Sequence, residues 1–382
     1  MEELKTNLKR VALVVGTRPN FVKAIPVWRE IREQLGALTD TPDKYCLLVH
    51  TGQHYSRELS DIFLEQFEVP RDQISFLEGY PKAGSPQERF SWIFLQLSEW
   101  FTRNKIEKVV VFGDVNSTLA GAMAASFLHL QLVHVEAGLR SFNRLMPEER
   151  NRVITDSLSH LLLVTEKGAL HNLMREGLVG KAVHCGNTMI DTLVRSLPRI
   201  KKMNEFAKKG MKPGKYVLFT FHRQENVDSP HLLRKVLTCI DRLATELRVK
   251  ILFSVHPRTR NAMKRHGLKT FGVKLCPPQG YLQMMNLVYN CGILVTDSGG
   301  LQEEAAYLGV PTITLRRETE RPITVSKGWN MIISPGEKNL FQKMKVEITD
   351  KIGKRKEDLT VLKADMGEGK ASQIMAKKIL QL

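Results

Sequence analysis

The sequence predicts an α/β protein built from two doubly wound parallel sheets. Short β-branched runs alternate with helical patterns along almost the whole chain of 382 residues. Most of these runs are apolar throughout, as expected of parallel strands that helices cover on both faces. Because the candidate strands fall into two series of six, we predict two Rossmann-like domains.

The two series are separated by a polar, basic segment with proline and glycine, residues 197–213. The first series comprises Val11–Val15, Cys46–His50, Val109–Phe112, Leu132–Glu136, Leu161–Thr165 and Val183–Cys185. The second comprises Tyr216–Phe221, Lys250–Val255, Val273–Cys276, Gly292–Thr296, Thr312–Leu315 and Met331–Ile333. We therefore predict a first domain at 1–198 and a second at 199–365. A C-terminal helix of about residues 366–382 is expected to pack back on the first domain.

The composition is that of an ordinary globular protein, 42% hydrophobic and 25% charged. No apolar run approaches the ~18 residues that span a bilayer, so no membrane insertion is expected. The five cysteines are scattered and include no C-x-x-C pair, which favours reduced thiols and a cytoplasmic location.

The net charge of +17 is compatible with nucleic acid, an anionic membrane or an acidic small molecule as partner. The basic residues are spread out and do not alternate with aromatic residues as in a nucleic-acid-binding motif. We interpret them as a solvated basic surface and predict no nucleic-acid partner.

The stretch 295–311, VTDSGGLQEEAAYLGVP, predicts a buried strand that leads into a glycine-opened helix. The residues at the helix start are Asp297, Ser298, Gly299 and Gly300. Asp297 and Ser298 are candidate caps, and the glycines let a ligand approach the first turn. Unpaired N–H groups and the helix dipole favour an anion there. Glu303 and Glu304 on the first turn could accept sugar hydroxyls.

Carboxylates follow the strands of the first series. Asp114 is placed to cap the next helix or to face a ligand. Glu136 ends a buried strand, which is costly unless it is paired or functional, so we favour function. Glu148 and Arg152 lie four residues apart on one predicted helix, where a surface salt bridge is the simplest interpretation.

Other polar groups follow strands in both series. Arg18 is a candidate for a phosphate contact or for a structural ion pair. His222 is a candidate for a phosphate contact or for a proton transfer. The remaining candidates are Lys23, Gln53, His54 and Arg321. The dinucleotide fingerprint G-x-G-x-x-G does not occur, which argues against a bound nicotinamide or flavin.

These motifs together resemble those of the non-hydrolysing UDP-N-acetylglucosamine 2-epimerases. GTRPN, TGQH, GDVNSTLAGA, HVEAGLRS, MPEERNR, FHRQEN, VHPRTR, TDSGGLQEE and TERP occur in the family's order across about residues 11–335. The resemblance implies a glycosyltransferase-B type fold, two Rossmann-like domains facing a central cleft that holds a UDP-sugar. It also implies a homodimer.

The resemblance assigns the diphosphate to Ser298, Gly299 and Gly300, the ribose to Glu304, and phosphate or sugar contacts to Arg18 and His222. It places the carboxylates Asp114, Glu136 and Glu148 at the sugar, supported by Lys23 and Arg152, with Arg321 among the substrate-binding residues. Gln53 and His54 match residues at which UDP-GlcNAc activates many bacterial members. Asn20, where the family often has Glu, and Trp329, where it usually has Thr, are departures.

The implied reaction interconverts UDP-N-acetylglucosamine and UDP-N-acetylmannosamine. UDP leaves C1, a carboxylate removes the C2 proton to give 2-acetamidoglucal, and protonation on the other face with return of UDP completes the epimerisation. We predict neither a cofactor nor a metal site.

Several alternatives remain open. The nearest is C2 epimerisation of UDP-2,3-diacetamido-2,3-dideoxyglucuronate, against which TERP, residues 319–322, is a modest argument. A glycosyltransferase needs fewer carboxylates than this chain carries. A hydrolysing epimerase, a nucleotide-sugar sensor and a nucleic-acid binder are less favoured.

Overall fold

The computed structural model describes residues 8–53, 64–326 and 328–382, without the side chain of Arg18. The chain forms two compact units. The first contains residues 1–195 and 364–382, and the second contains residues 196–363. The second unit thus begins at residue 196, compared with residue 199 for the predicted second domain.

The first unit contains a sheet of seven parallel strands in the order β3-β2-β1-β4-β5-β6-β7. Its strands are β1 Val11–Val15, β2 Cys46–His50, β3 Ile74–Phe76, β4 Lys108–Phe112, β5 Gln131–Val135, β6 Leu161–Val164 and β7 Ala182–His184. The prediction of six strands was wrong because it missed β3. This edge strand has three residues, of which only Ile74 is fully buried, so it lacks a continuous apolar run.

The second unit contains six parallel strands in the order β10-β9-β8-β11-β12-β13. They are β8 Tyr216–Phe219, β9 Lys250–Ser254, β10 Val273–Cys276, β11 Ile293–Thr296, β12 Thr312–Thr314 and β13 Asn330–Ile332. All six were predicted, although several predicted ends lay one or two residues too far along the chain. The rings of Phe219 and Phe253 pack 4.4 Å apart in the core of this unit.

Helices connect and cover the strands of both sheets. Numbered over the described residues, they are α1 Arg18–Gly36, α2 Pro86–Arg103, α3 Asn116–Phe127, α4 Pro147–Leu158, α5 Lys167–Arg175, α6 Thr188–Lys202, α7 Glu205–Lys208, α8 Gln224–Val227, α9 Pro230–Glu246, α10 Pro257–Arg265, α11 Tyr281–Asn290, α12 Gly299–Tyr307, α13 Pro322–Ser326, α14 Leu340–Lys351, α15 Thr360–Asp365 and α16 Ala371–Gln381. Among these helices, none is long and apolar enough to cross a membrane.

The C-terminal helix α16 is an integral part of the first unit. It packs along α1, and its last carbonyls accept hydrogen bonds from Lys108 Nζ, 2.9 Å from Ile379 O and 3.1 Å from Leu380 O. A lysine at a helix C-terminus satisfies free carbonyls and complements the dipole. Burial lowers the pKa of this ammonium to about 8.

Both sheets reverse their strand order at one point, between β1 and β4 and between β8 and β11. The adjacent helices in such a sheet leave on opposite faces, and the loops beyond the carboxyl ends of those strands are the usual ligand sites. Several of the predicted polar motifs follow these same strands, and Gln53 and Glu136 follow the neighbouring strands β2 and β5.

Candidate active site

The loop after β1 is held where three strand ends of the first unit meet. A Cβ on Gly16 would lie 2.0 Å from Ser117 Oγ and 2.6 Å from Thr51 Oγ1, so only glycine fits. Asn20 Oδ1 accepts from the Gly16 N–H, and its Nδ2 donates to Phe112 O at 3.0 Å. The Asn20 amide thus ties the loop to the end of β4, which a glutamate could not do because its carboxylate has no donor.

Glu136 lies beyond β5 and forms an ion pair with Lys23 of α1. Its φ of 73° is in the left-handed region, which non-glycine residues rarely adopt. A Cβ on Gly113, itself at φ 65°, would come within 2.9 Å of Glu136 Oε2. The predicted strand Leu132–Glu136 therefore ends one residue early, because Glu136 has left the extended conformation.

Asp114 also forms an ion pair, with Arg152 of α4. Arg152 Nη2 is 2.5 Å from Asp114 Oδ2, and Arg152 Nη1 is 2.8 Å from Glu149 Oε2. Asp114 does not cap α3, whose N-cap is Val115. The salt bridge expected between Glu148 and Arg152 is absent among the described residues, because the guanidinium turns toward the strand ends.

Glu148, on the first turn of α4, is half-buried and has no hydrogen bond or ion pair with a described residue.

Gln53 follows β2, and its Oε1 accepts from the backbone N–H of Ser117 at 3.0 Å and from the Ser117 hydroxyl at 2.6 Å. Gln53 therefore supports the start of α3. His54 and the side chain of Arg18 lie outside the described part of the chain.

A chain of four charged or polar side chains, absent from the predicted site, lies behind the loop that carries Glu136; the first three members are buried and the last is exposed. His134 Nδ1 is 2.6 Å from Asp156 Oδ1, and Arg140 Nη2 is 2.7 Å from Asp156 Oδ2. Arg140 also contacts Glu176 at 2.6 Å. Burial alone would raise the pKa of Asp156, but His134 and Arg140 lower it below its usual value. The HVEAGLR motif contains two of the four residues; nothing local indicated their partners.

In the second unit, the fully buried Asp297 joins the loops after β8 and β11. Its carboxylate accepts from the backbone N–H groups of His222 at 2.9 Å and Arg223 at 2.8 Å, and from Asn226 Nδ2 at 3.2 Å. Of the two candidate caps, Ser298 caps the helix, since its Oγ accepts from Leu301 N, and Asp297 does not. Burial opposes ionisation, but His222 and the N–H donors lower the pKa of Asp297.

His222 has one ring nitrogen fixed and the rest of the ring accessible. Its Nδ1 is 3.1 Å from Asp297 Oδ1, while the side chain is 35% exposed. The ring lies 5.3 Å from that of His256. A histidine oriented by a buried carboxylate can present its other nitrogen to a ligand.

The helix α12 starts at Gly299, as the glycine pattern predicted. Its first-turn N–H groups have no acceptor within the helix, so this end attracts anions. A Cβ on Gly299 would lie 3.1 Å from Glu320 Oε1 and 3.9 Å from Arg223 Nη2. Gly299, Gly300 and Ser298 are each partly exposed.

Two further predicted residues, and the family departure Trp329, are buried in the second unit. Arg321 Nε is 3.0 Å from Glu303 Oε2. Glu304 is 2% exposed and lies beside the Tyr281 phenol, whose pKa is raised by burial and by that carboxylate. Trp329 is also buried, with Lys356 Nζ 5.7 Å from its ring centroid.

The first unit thus presents carboxylates with paired cations at its strand ends, and the second presents a helix N-terminus with a histidine. Carboxylates can exchange protons with carbon, and the helix N-terminus can hold a phosphate. Among the described residues, no group of three or more His, Cys, Asp or Glu side chains could hold a metal ion. These features define a class of α/β enzymes that act on phosphorylated compounds.

Comparison with known proteins identifies the family. The model of the UDP-N-acetylglucosamine 2-epimerase family matches residues 37–380. The UDP-N-acetylglucosamine 2-epimerase of Methanococcus maripaludis is 37% identical over 342 residues, covering 87% of this chain and 90% of that protein. The chain therefore belongs to the UDP-N-acetylglucosamine 2-epimerase family.

Two other relatives are named for different UDP-sugars. The UDP-2,3-diacetamido-2,3-dideoxy-D-glucuronate 2-epimerase of Pseudomonas aeruginosa is 34% identical over 377 residues, covering 98% of this chain and 100% of that protein. The crystal structure of the Methanocaldococcus jannaschii UDP-GlcNAc 2-epimerase with UDP-GlcNAc and UDP has a TM-score of 0.86 at 33% identity. It covers 98% of this chain and 100% of that one. The glycosyltransferase-B type fold of two Rossmann-like domains is confirmed.

The role of Asp297 predicts that Asp297→Asn destabilises the protein. An asparagine directs one donor toward groups that are themselves donors, so we expect a loss of about 3 kcal/mol in unfolding free energy, measured by urea denaturation at pH 7. Because the folded pKa is lowered, the carboxylate's contribution is complete above about pH 4 and is lost as the pH falls through the folded pKa.

The matched control is Glu225→Gln, which removes a 61% exposed carboxylate 3.5 Å from Arg223 in the same loop. Its stability should change by less than about 0.5 kcal/mol. Equal stability of the two variants would contradict the structural role given to Asp297.

Proposed function

We propose that this protein catalyses the reversible C2 epimerisation of UDP-N-acetylglucosamine to UDP-N-acetylmannosamine. The observation that carries the proposal is the set of carboxylates at the strand ends and on α4 of the first unit, in a chain whose family is that of the UDP-N-acetylglucosamine 2-epimerases. Neither simple glycosyl transfer nor ligand sensing requires three such groups.

The first unit supplies the acid and base groups. Asp114, Glu136 and Glu148 are the carboxylates assigned to the sugar. Lys23 and Arg152 fix two of them through ion pairs, and Glu148 has no such partner among the described residues. A carboxylate held by a cation keeps its direction, whereas one without such a partner can turn toward a ligand. This difference supports separate roles for the groups.

The second unit supplies the groups that hold the leaving diphosphate. Ser298, Gly299 and Gly300 present the start of α12, and His222 is oriented by Asp297 toward a phosphate or the sugar. Arg18 is assigned to the same ligand. Donors aimed at a departing anion stabilise it as its charge develops.

Glu304 and Arg321 are assigned to the nucleotide side of the ligand. Both are buried, and Arg321 is paired with Glu303. Burial of this carboxylate and this guanidinium limits solvent competition for the ribose hydroxyls that Glu304 is assigned to accept.

The reaction balances without a cofactor. The bond between C1 and the UDP oxygen breaks with its electron pair going to UDP, and cationic character at C1 makes the C2 proton acidic. One carboxylate takes that proton, and a C1–C2 double bond forms in 2-acetamidoglucal. A second group then returns a proton to the opposite face of C2 while UDP adds to C1.

Gln53 and His54 are assigned to activation by a second UDP-GlcNAc. Gln53 supports this assignment because its amide oxygen holds Ser117 at the start of α3, the helix that follows Asp114. A ligand that draws Gln53 away would release this helix start.

Proton NMR of UDP-N-acetylglucosamine incubated with the protein in D2O tests the proposal. We expect deuterium at C2 in both UDP-N-acetylglucosamine and UDP-N-acetylmannosamine, with the nucleotide still attached, because the C2 proton is lost to a solvent-exchanging carboxylate. Boiled protein is the control.

Two outcomes would contradict the proposal. Free N-acetylmannosamine together with UDP would indicate a hydrolysing enzyme. No exchange at all would exclude this substrate, and UDP-2,3-diacetamido-2,3-dideoxyglucuronate, the substrate of the Pseudomonas aeruginosa relative, would be assayed in its place.

We further propose that the enzyme is a cytoplasmic homodimer. All five cysteines are free and buried, which suits a reducing compartment. Neighbouring helices α2, α3 and α4 expose large apolar side chains, namely Leu95, Phe127, Val153 and Ile154. Such an apolar surface on adjacent helices favours association.

Light scattering coupled to size exclusion should give twice the chain mass of 43.5 kDa. The double variant Phe127→Glu/Ile154→Glu should elute as a monomer, because it places charges on the apolar surface. Phe271→Glu, at an 89% exposed position of the second unit, should remain dimeric. A dimeric double variant would exclude this surface as the interface.

A further inference from the structure

His134 is fully buried on β5 and has a hydrogen-bond acceptor at each ring nitrogen. Nε2 is 2.8 Å from the carbonyl oxygen of Gly113, and Nδ1 is 2.6 Å from Asp156 Oδ1. A carbonyl oxygen can only accept, so the first contact requires a proton on Nε2. A neutral imidazole with that proton has none on Nδ1.

The protonation state of Asp156 decides whether Asp156 or His134 carries the proton in the second contact. Its Oδ2 accepts from the Gly138 N–H at 3.0 Å and from Arg140 Nη2 at 2.7 Å. A carboxylate that receives a guanidinium and a backbone N–H is stabilised as the anion. An ionised Asp156 carries no proton on Oδ1. The proton between Oδ1 and Nδ1 must then belong to His134.

The surrounding charges are compatible with a cation at His134. Arg140 also binds Glu176, whose side chain is 31% exposed, so the chain of side chains contains two carboxylates and one guanidinium besides the histidine. With His134 protonated, these four side chains carry no net charge. On the other side of Gly113 lie Lys23 and Glu136, whose charges cancel as a pair. These are the charged groups that face this region among the described residues.

We propose that His134 is held as a doubly protonated imidazolium and is the positioning residue for the carboxylates Asp114 and Glu136. Its Nε2–H holds the carbonyl of Gly113, the residue directly before Asp114. Gly113 in turn packs against the Glu136 carboxylate, where even a Cβ would be 2.9 Å from Oε2. One buried cation thereby links the ends of β4 and β5. The charge state is argued from the hydrogen bonds and neighbouring charges, whereas the positioning role rests on the proposed function.

The charge state is tested by ¹⁵N NMR of the full chain with labelled histidine. We expect both His134 ring nitrogens to resonate as protonated nitrogens at neutral pH, with slowly exchanging N–H signals. One nitrogen in the unprotonated region at neutral pH would overturn the imidazolium assignment. A neutron structure gives the same answer directly, by showing hydrogen at both nitrogens or at one, if the resonance cannot be assigned.

The positioning role is tested with His134→Gln, which keeps a polar side chain and removes the fixed charge. We expect kcat for epimerisation to fall by about 100-fold, since a small displacement of catalytic groups has effects of that size. KM should stay within about threefold, because the side chain does not contact substrate. An unchanged kcat in the folded variant would overturn the role.

The matched control is His184→Gln. His184, in the same unit, also lies between an aspartate and a carbonyl, but it contacts both through Nε2 alone, 3.0 Å from Asp365 O. Its kcat should remain near the wild-type value, and an equal loss in both variants would show a general effect of the substitution. Absence of epimerase activity in the wild type would refute the proposed function and leave the NMR result intact.

Discussion

A buried carboxylate that accepts hydrogen bonds from neighbouring loops organises the strand ends of each unit. In the second unit Asp297 binds two consecutive backbone N–H groups and so orients His222. In the first, Asp156 binds the Gly138 N–H together with His134 and Arg140. Both carboxylates are fully buried. Because an ionised group in such a place is stable only with its donors in position, each carboxylate specifies one arrangement of the surrounding loops.

This rigidity allows strained and crowded positions next to the candidate catalytic groups. Glu136 has a left-handed backbone, which costs on the order of 1–3 kcal/mol for a side-chain-bearing residue. Gly113 and Gly16 occupy places where a Cβ would meet neighbouring side chains. The fold bears these costs because the ion pairs and hydrogen bonds around the strand ends offset them. The result is a set of carboxylates with defined directions, as proton transfer to a carbon atom requires.

The sequence predicted what depends on local pattern. Continuous apolar runs identified twelve strands, and the serine and glycines at residues 298–300 predicted the start of α12. The edge strand β3 was missed because three residues carry too little pattern. The partners of Asp297 and the pairing of Arg152 with Asp114 could not be predicted, since these contacts join segments 38 to 75 residues apart. From the sequence alone, a helix cap by Asp297 and an i,i+4 salt bridge of Arg152 were therefore simpler interpretations than the contacts that form.

In the candidate site, too, the sequence predicted what depends on local motifs and missed what depends on distant contacts. Motif order across the chain indicated the family, and with it Asp114, Glu136 and His222. The support behind them, including Asn20 and the chain from His134 to Glu176, depends on side chains that meet only in the fold. Asn20 illustrates the difference: from the sequence it was a departure from the family, whereas in the structure its amide joins the first loop to the end of β4.

The central claim is a division of roles, in which the first unit transfers protons and the second binds the leaving UDP. Calorimetric titration of UDP into Glu136→Gln, with C2 exchange measured on the same sample, tests it most directly. The account predicts a Kd for UDP within about threefold of the wild-type value, a difference below about 1 kcal/mol, and loss of C2 exchange. A Kd raised by more than about tenfold, or retained exchange, would contradict it.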